Sequence, residues 1–182
     1  MALTNSVKNY YINYNGDARL TRKSRLPEYL LTMEYIERYS FDGAKILEIG
    51  AGTGRYSIAL ADKGYDVTAV ELVPHNIDIL KKKVKPKHKI TIYEGNAVDL
   101  SFLDNETYDI VLLLGPMYHL FNNEDKHAAI SEAIRVTKKG GVIYAAYCNN
   151  ETRMYKMFYK KRVLGLLNSG EINKEFHFKA NS

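Results

Sequence analysis

Four short stretches of this chain carry residue types that can do chemistry, and each stands where an apolar run gives way to a turn. The first is Glu48-x-Gly50-x-Gly52-x-Gly54. Glycine is required where the backbone turns with positive φ or where a ligand must reach main-chain atoms. A strand that turns through glycines into a helix N-terminus makes a cradle of nucleotide size. The second stretch is Glu71 with Leu72, 17 residues beyond Gly54. A carboxylate there can accept both hydroxyls of a ribose, which suits any adenosine cofactor, and Leu72 can pack on an adenine face. The third, Gly95-Asn96-Ala97, offers a side-chain amide or adjacent backbone to the adenine edge. The fourth, Leu114-Gly115-Pro116-Met117-Tyr118-His119, is small and turning first, then aromatic and titratable.

The glycine spacing excludes two common phosphate sites. A G-x-G-x-x-G fingerprint begun at Gly50 needs glycine where Arg55 stands; begun at Gly52 it needs glycine where Ser57 stands. No Lys-Ser or Lys-Thr pair follows the turn, so a phosphate loop of the G-x-x-x-x-G-K-[ST] type fails too. The stretch Glu48-Ile-Gly-Ala-Gly-Thr-Gly54 instead resembles the first motif of the class I S-adenosylmethionine (SAM) dependent methyltransferases, whose ligand has no pyrophosphate to dock. With the acid at 71 and Leu112-Leu-Leu-Gly-Pro-Met-Tyr-His-Leu120, the resemblance extends over residues 45–147 and is nearest to the small-molecule branch. Two positions depart from the pattern. Lys139 stands where Lys-Pro-Gly-Gly would place proline, and Asn96 stands where many relatives carry Asp. Asn can still accept from an adenine amine through its carbonyl.

Carried over residue by residue, the resemblance implies that Glu48, Gly50, Ala51, Gly52 and Gly54 line the methionine side of SAM. It places Glu71 on the ribose, Leu72, Asn96 and Ala97 at adenine, and Leu114 and Gly115 near the sulfonium. The implied reaction is an in-line displacement: a substrate N, O, S or C attacks the methyl, and S-adenosylhomocysteine leaves as a thioether. SAM carries its own activation, so the protein mainly positions and desolvates, effects that supply roughly 7–11 kcal/mol in well-oriented systems. A base is needed only for a nucleophile that arrives protonated. His119 is the candidate, since histidine titrates near neutral pH; a capping or packing histidine is the alternative. Tyr118 either lines the acceptor pocket or fills core. His75, His88, His127 and His177 show no metal-ligand spacing, and no metal is expected.

Alternating elements must bring these turns together. The periodicity predicts strands at 45–49, 66–71, 89–93, 109–114 and 141–147. Helices are expected from Pro27 with Leu26, Leu30, Met33 and Ile36 inward, over 56–63 with Ile58, Ala59 and Leu60 inward, and from Pro74 with Ile77, Leu80 and Val84 on one face. Asn122 or Asn123 can cap a further helix that runs through Ile130, Ala133 and Ile134 to 138–140, while Gly64 suits a C-cap. Strand and helix in alternation imply an α/β fold: a doubly wound, mostly parallel sheet in three layers, with ligands beyond the carboxyl ends of its strands. The chain then divides into an arm and helix (1–40), a SAM-binding core (41–148) and a C-terminal helix and incomplete end of the fold (149–182).

The arm is rich in Tyr and Arg. Either it packs a few aromatic rings, or it is a lid whose Tyr11 and Arg19 cover the cofactor and pair with its carboxylate. The methyltransferases it resembles usually add an antiparallel hairpin after the fifth strand, and only 175–179 could begin one here. The expectation is a shortened form of the fold whose exposed edge a second copy covers as a homodimer.

Composition fits these readings. Of 182 residues, 46% are apolar and 26% charged, as in a globular domain. No apolar run reaches the roughly 20 residues that span a bilayer, no signal peptide is visible, and the single Cys148 fits a reducing cytoplasm. Much of the +5 net charge lies in 81–89, read as the exposed end of a helix rather than a nucleic-acid patch. An RNA or DNA methyltransferase is the alternative reading; against it, Gly115-Pro-Met-Tyr118 stands after strand four where adenine- and cytosine-amine enzymes typically carry Asn/Asp-Pro-Pro-Tyr/Phe/Trp. A non-catalytic SAM-binding module is another, and a nicotinamide enzyme a distant third.

Overall fold

The computed structural model describes residues 26–147. The arm with Tyr11 and Arg19, Cys148, the helix expected from Glu151 and the segment 175–179 lie outside the described residues. All described elements lie in the first of the two units into which the chain divides, the break falling between Ala146 and Tyr147.

Five strands are present: β1 (Lys45–Ile49), β2 (Asp66–Glu71), β3 (Ile90–Glu94), β4 (Tyr108–Leu113) and β5 (Thr137–Ala145). They form one sheet in the order β3-β2-β1-β4-β5, with every pairing parallel. Helices α1 (Leu26–Tyr39), α2 (Arg55–Asp62), α3 (Pro74–Lys83) and α4 (Asn123–Val136) flank it. The chain winds outward from β1 to β3, then returns to place β4 on the free side of β1. The carboxyl ends of β1 and β4 therefore lie side by side where strand order reverses, the position at which such sheets bind ligands.

Alternate side chains of the central strands feed two cores. Ile46, Val67, Ile110 and Leu112 pack with Met33 and Ile36 of α1 and Tyr56 and Leu60 of α2. Leu47, Ile49, Val111 and Leu113 pack on the opposite face against Ala129, Ala133 and Val136 of α4. Cover on both faces is why β4 reads as an unbroken apolar run.

Several expectations are corrected. Alternation is interrupted once, because the chain passes from β3 to β4 through turns at 95–107 without a helix. α2 buries Tyr56, Ser57, Leu60 and Ala61, while Ile58 and Ala59 are only partly covered. Its phase is set by the bond from Ser57 to Glu48 described below. α1 meets the sheet through Tyr29, Met33 and Ile36, leaving Leu26 and Leu30 41% and 55% exposed. Ile134 on α4 is also exposed, and Val84 falls just past the end of α3. Asn122, not Asn123, caps α4, its side-chain oxygen accepting from the Asp125 N–H at 2.6 Å. α4 stops at Val136. The register then slips between Tyr108–Thr137 and Ile110–Val142, so Lys138–Gly140 bulge from the strand. Gly140 turns there at φ 79° and Lys138 pairs with Asp109 at 2.8 Å.

Candidate functional site

Gly50, Gly52 and Gly54 all adopt positive φ, but for different reasons. A Cβ on Gly54 would lie 2.0 Å from Leu80 of α3, so this glycine exists for packing. A Cβ on Gly50 would meet the Pro116 ring at 2.7 Å, joining the glycine turn to the loop after β4. Gly52 turns at φ 57° with nothing within 4 Å of where a Cβ would stand. The open approach to bare backbone is therefore at Gly52. Ala51 beside it is buried, its N–H donating to Val70 O at 3.0 Å.

Two buried carboxylates hold this turn. Glu48, at 4% exposure, accepts from the Ser57 backbone N–H at 2.9 Å and from the Ser57 hydroxyl. Gly54 at the N-cap of α2 has no side chain to cap the helix, so Glu48 does it from the neighbouring strand. Burial outweighs those two hydrogen bonds and pushes the Glu48 carboxyl up to about 8.

Glu71, at 5% exposure, accepts from Gly52 N–H at 2.7 Å, Val73 N–H at 2.9 Å and Asn76 Nδ2 at 3.2 Å. A carboxylate offers about four acceptor positions, so three donors leave about one. Docking both hydroxyls of a ribose here requires one existing bond to give way, and that from Asn76 is the longest. Leu72 beside it is partly exposed, as a surface for a ring must be.

Next to Glu71, whose backbone carbonyl accepts from Gly95 N–H at 3.0 Å, Gly95, Asn96 and Ala97 open the loop that leads to β4. The Asn96 carbonyl oxygen accepts from Asp99 N–H at 3.0 Å, and its side-chain oxygen is 3.4 Å from Val98 N, which makes the stretch a local turn. The loop is clamped from α4. Arg135 donates to Leu100 O and Leu103 O at 2.8 Å each, and to Asn105 Oδ1 at 2.7 Å. It also binds Glu132 at 2.8 Å, and Glu132 accepts from Leu100 N–H at 2.7 Å. The Arg135 guanidinium holds the Glu132 carboxyl below its usual range.

After β4, Gly115 packs against Gly50 O and Leu114 joins the cluster around Tyr56 and Met33. Pro116–Tyr118 form a 3-10 turn, with Tyr118 N–H donating to Gly115 O at 3.2 Å and His119 N–H to Pro116 O at 2.9 Å. Tyr118 and His119 are half-buried, and Met117 beneath them is core. The structure thus brings Glu48, the three glycines, Glu71, Leu114 and Gly115 to adjoining strand ends.

Sequence reasoning misses the supports. Ser57, Asn76, Pro116, Glu132 and Arg135 act through distant partners that no local pattern names. Lys83 reaches back from α3 to Thr53 O at 2.9 Å, so part of the basic run braces the glycine turn. Lys85, Lys87 and His88 converge on Asp62 at 2.8–3.2 Å. These partners, Lys87 foremost, hold the Asp62 carboxyl well below the usual range. Among the described residues no three His, Cys, Asp or Glu form a metal-sized group, and no helix is long and apolar enough to cross a membrane.

A family model described as a methyltransferase domain matches residues 46–141. The chain is 31% identical over 126 residues to demethylmenaquinone methyltransferase of Staphylococcus saprophyticus, covering 65% of this chain and 52% of that protein. It is 33% identical over 104 residues to cypemycin N-terminal methyltransferase of a Streptomyces species, covering 57% and 41%. A SAM-dependent methyltransferase structure from Methanosarcina mazei matches at TM-score 0.63 and 25% identity, over 72% of this chain and 64% of that one. The chain spans about half the length of the curated relatives it matches.

Proposed function

The chain belongs to the methyltransferase-domain family, and from that premise we propose that it binds SAM across the carboxyl ends of β1, β2 and β4 and methylates a small-molecule acceptor. The observation that carries this reading is the pairing of Gly52 with Glu71. Open backbone stands at one, a buried carboxylate at the other, and a 2.7 Å bond sets their spacing. SAM, when bound, supplies the activated methyl and needs no metal. The protein's part is to hold the ribose at Glu71, seat adenine between Leu72 and the Asn96–Ala97 turn, and keep water from the strand ends. A nucleophile that arrives protonated would give its proton to His119, with Tyr118 lining the acceptor side.

The nucleic-acid alternative is the weaker one. Lys83, Lys85, Lys87 and His88 are drawn onto Thr53 and Asp62 of the protein itself, so this part of the basic run is not an uncommitted phosphate track. Assembly as a homodimer along β5, which pairs only with β4 among the described residues, and residence in a reducing cytoplasm complete the proposal. A single sedimenting species at monomer mass would remove the dimer.

Methyl-labelled SAM incubated with the protein and a small-metabolite extract tests the function. Label in an extract component is the expected result. Label appearing only in added RNA would overturn the small-molecule reading. SAM binding with no label transferred to any pool would leave a binding module.

A further inference from the structure

Arg55 is the first residue of α2, directly after the glycine turn, and its guanidinium is unusually placed. Its Cζ lies 4.2 Å from the centroid of the Tyr29 ring, and that ring in turn packs on Tyr56 at 5.2 Å. Among the described residues it makes no ion pair. Its Nε is buried and has no hydrogen-bond partner. Buried donors are almost always satisfied, and the exceptions call for a missing acceptor.

The surroundings say which acceptor. Stacking on Tyr29 holds the guanidinium plane and leaves its edge donors for a ligand. The N-cap of α2 supplies no side-chain bond, and Glu48 takes the N–H of Ser57, so the first two backbone N–H groups of the helix lack intrahelical acceptors. A half-buried cationic fork beside a helix N-terminus suits a carboxylate. Three residues away, Gly52 gives open access to the backbone.

We propose that Arg55, seated on Tyr29, anchors the carboxylate at the amino-acid end of the cofactor. This rests on the SAM reading above and assigns to the rigid core a role that the sequence reading gives to Arg19 of the arm. Arg55 thereby fixes the methionine end of the ligand, while Glu71 fixes the ribose.

The test compares two ligands by calorimetry on the full chain. S-adenosylhomocysteine carries the carboxylate; 5′-methylthioadenosine is an adenosyl thioether without it. Arg55→Met should weaken S-adenosylhomocysteine by about tenfold or more and change 5′-methylthioadenosine by less than about twofold. Arg55→Lys, which keeps the charge but loses the fork, should fall between, and it serves if the Met variant fails to fold. Equal weakening of both ligands, or no change in either, would overturn the proposal. Wild-type protein that binds neither ligand would instead sink the cofactor reading on which it rests.

Discussion

On the β1–β2 side of the mouth the backbone is tied by two carboxylates at 4% and 5% exposure, each accepting from main-chain N–H groups. On the β3–β4 side the loop is tied by Arg135 and Glu132, whose side chains are 28% and 19% exposed. The first tie is short in sequence, dry and, at Glu48, governed by protonation. The second spans more than 30 residues, lies nearer to water and is governed by charge pairing. The turn at the carboxyl ends of the strands and the loop that leads to their amino ends can thus respond to different solution conditions.

The largest effect should come from pH acting on the dry side. Glu48 keeps its proton up to about pH 8 when folded but loses it near 4.5 when unfolded. The native state therefore binds the extra proton between those values. The contribution is full below the lower pH and is lost as pH rises through the upper one, on the order of 4 kcal/mol in all. Denaturant melts at pH 5 and pH 8.5 should show the fall, and Glu48→Gln should flatten it. A wild-type stability that rises over this interval would place the carboxylate ionised in the fold.

Next come the glycines of the same side. Gly54→Ala combines positive-φ strain with a 2.0 Å approach to buried Leu80, and should cost about 3 kcal/mol. Gly52→Ala meets no atom and should cost about 1 kcal/mol, yet weaken S-adenosylhomocysteine the more of the two. The reverse ranking in thermal melts and calorimetry would mean that the packing and approach roles have been interchanged.

The wetter side should yield less. Arg135→Met strips partners from Leu100 O, Leu103 O and Glu132, a loss of about 2 kcal/mol after allowance for solvent screening. Molar salt should narrow the gap between this variant and wild type and leave that of Glu48→Gln unchanged. Equal salt response at both sites would erase the contrast. Smallest of all, Asp62→Asn should leave the melting temperature nearly unmoved in moderate salt, since Lys85, Lys87 and Asp62 are all well exposed. A large drop there would mean that the outer basic run, too, braces the turn.

The contrast also explains what the sequence could say. The limits of β1 to β4 were legible to within a residue, and the glycine turn with them, because they rest on local rules: apolar runs bounded by glycine, and an acid at the end of β2. β5 was not, since it begins at Thr137, inside the stretch expected to end the helix. A cap at Asn122 or Asn123 was legible for the same reason, as was a glycine ending α2: Gly64, next after the Lys63 C-cap, turns at φ 92°. The phase of α2 was not, because it is fixed by Ser57 meeting Glu48 rather than by its own apolar stripe. Nor was the clamp, since nothing near Arg135 reveals that it will meet carbonyls of Leu100 and Leu103. The acceptor count at Glu71 also required coordinates, because Asn76 comes from the next helix.

The central claim is that Glu71 and the Gly52 backbone receive an adenosyl ligand. Titration of S-adenosylhomocysteine into wild type and Glu71→Ala, with thermal melts to confirm that both are folded, tests it most directly. Saturable binding at one site per chain, weakened about tenfold or more by the substitution, is the predicted result. Equal affinity in the two folded proteins, or no binding to wild type, would contradict it.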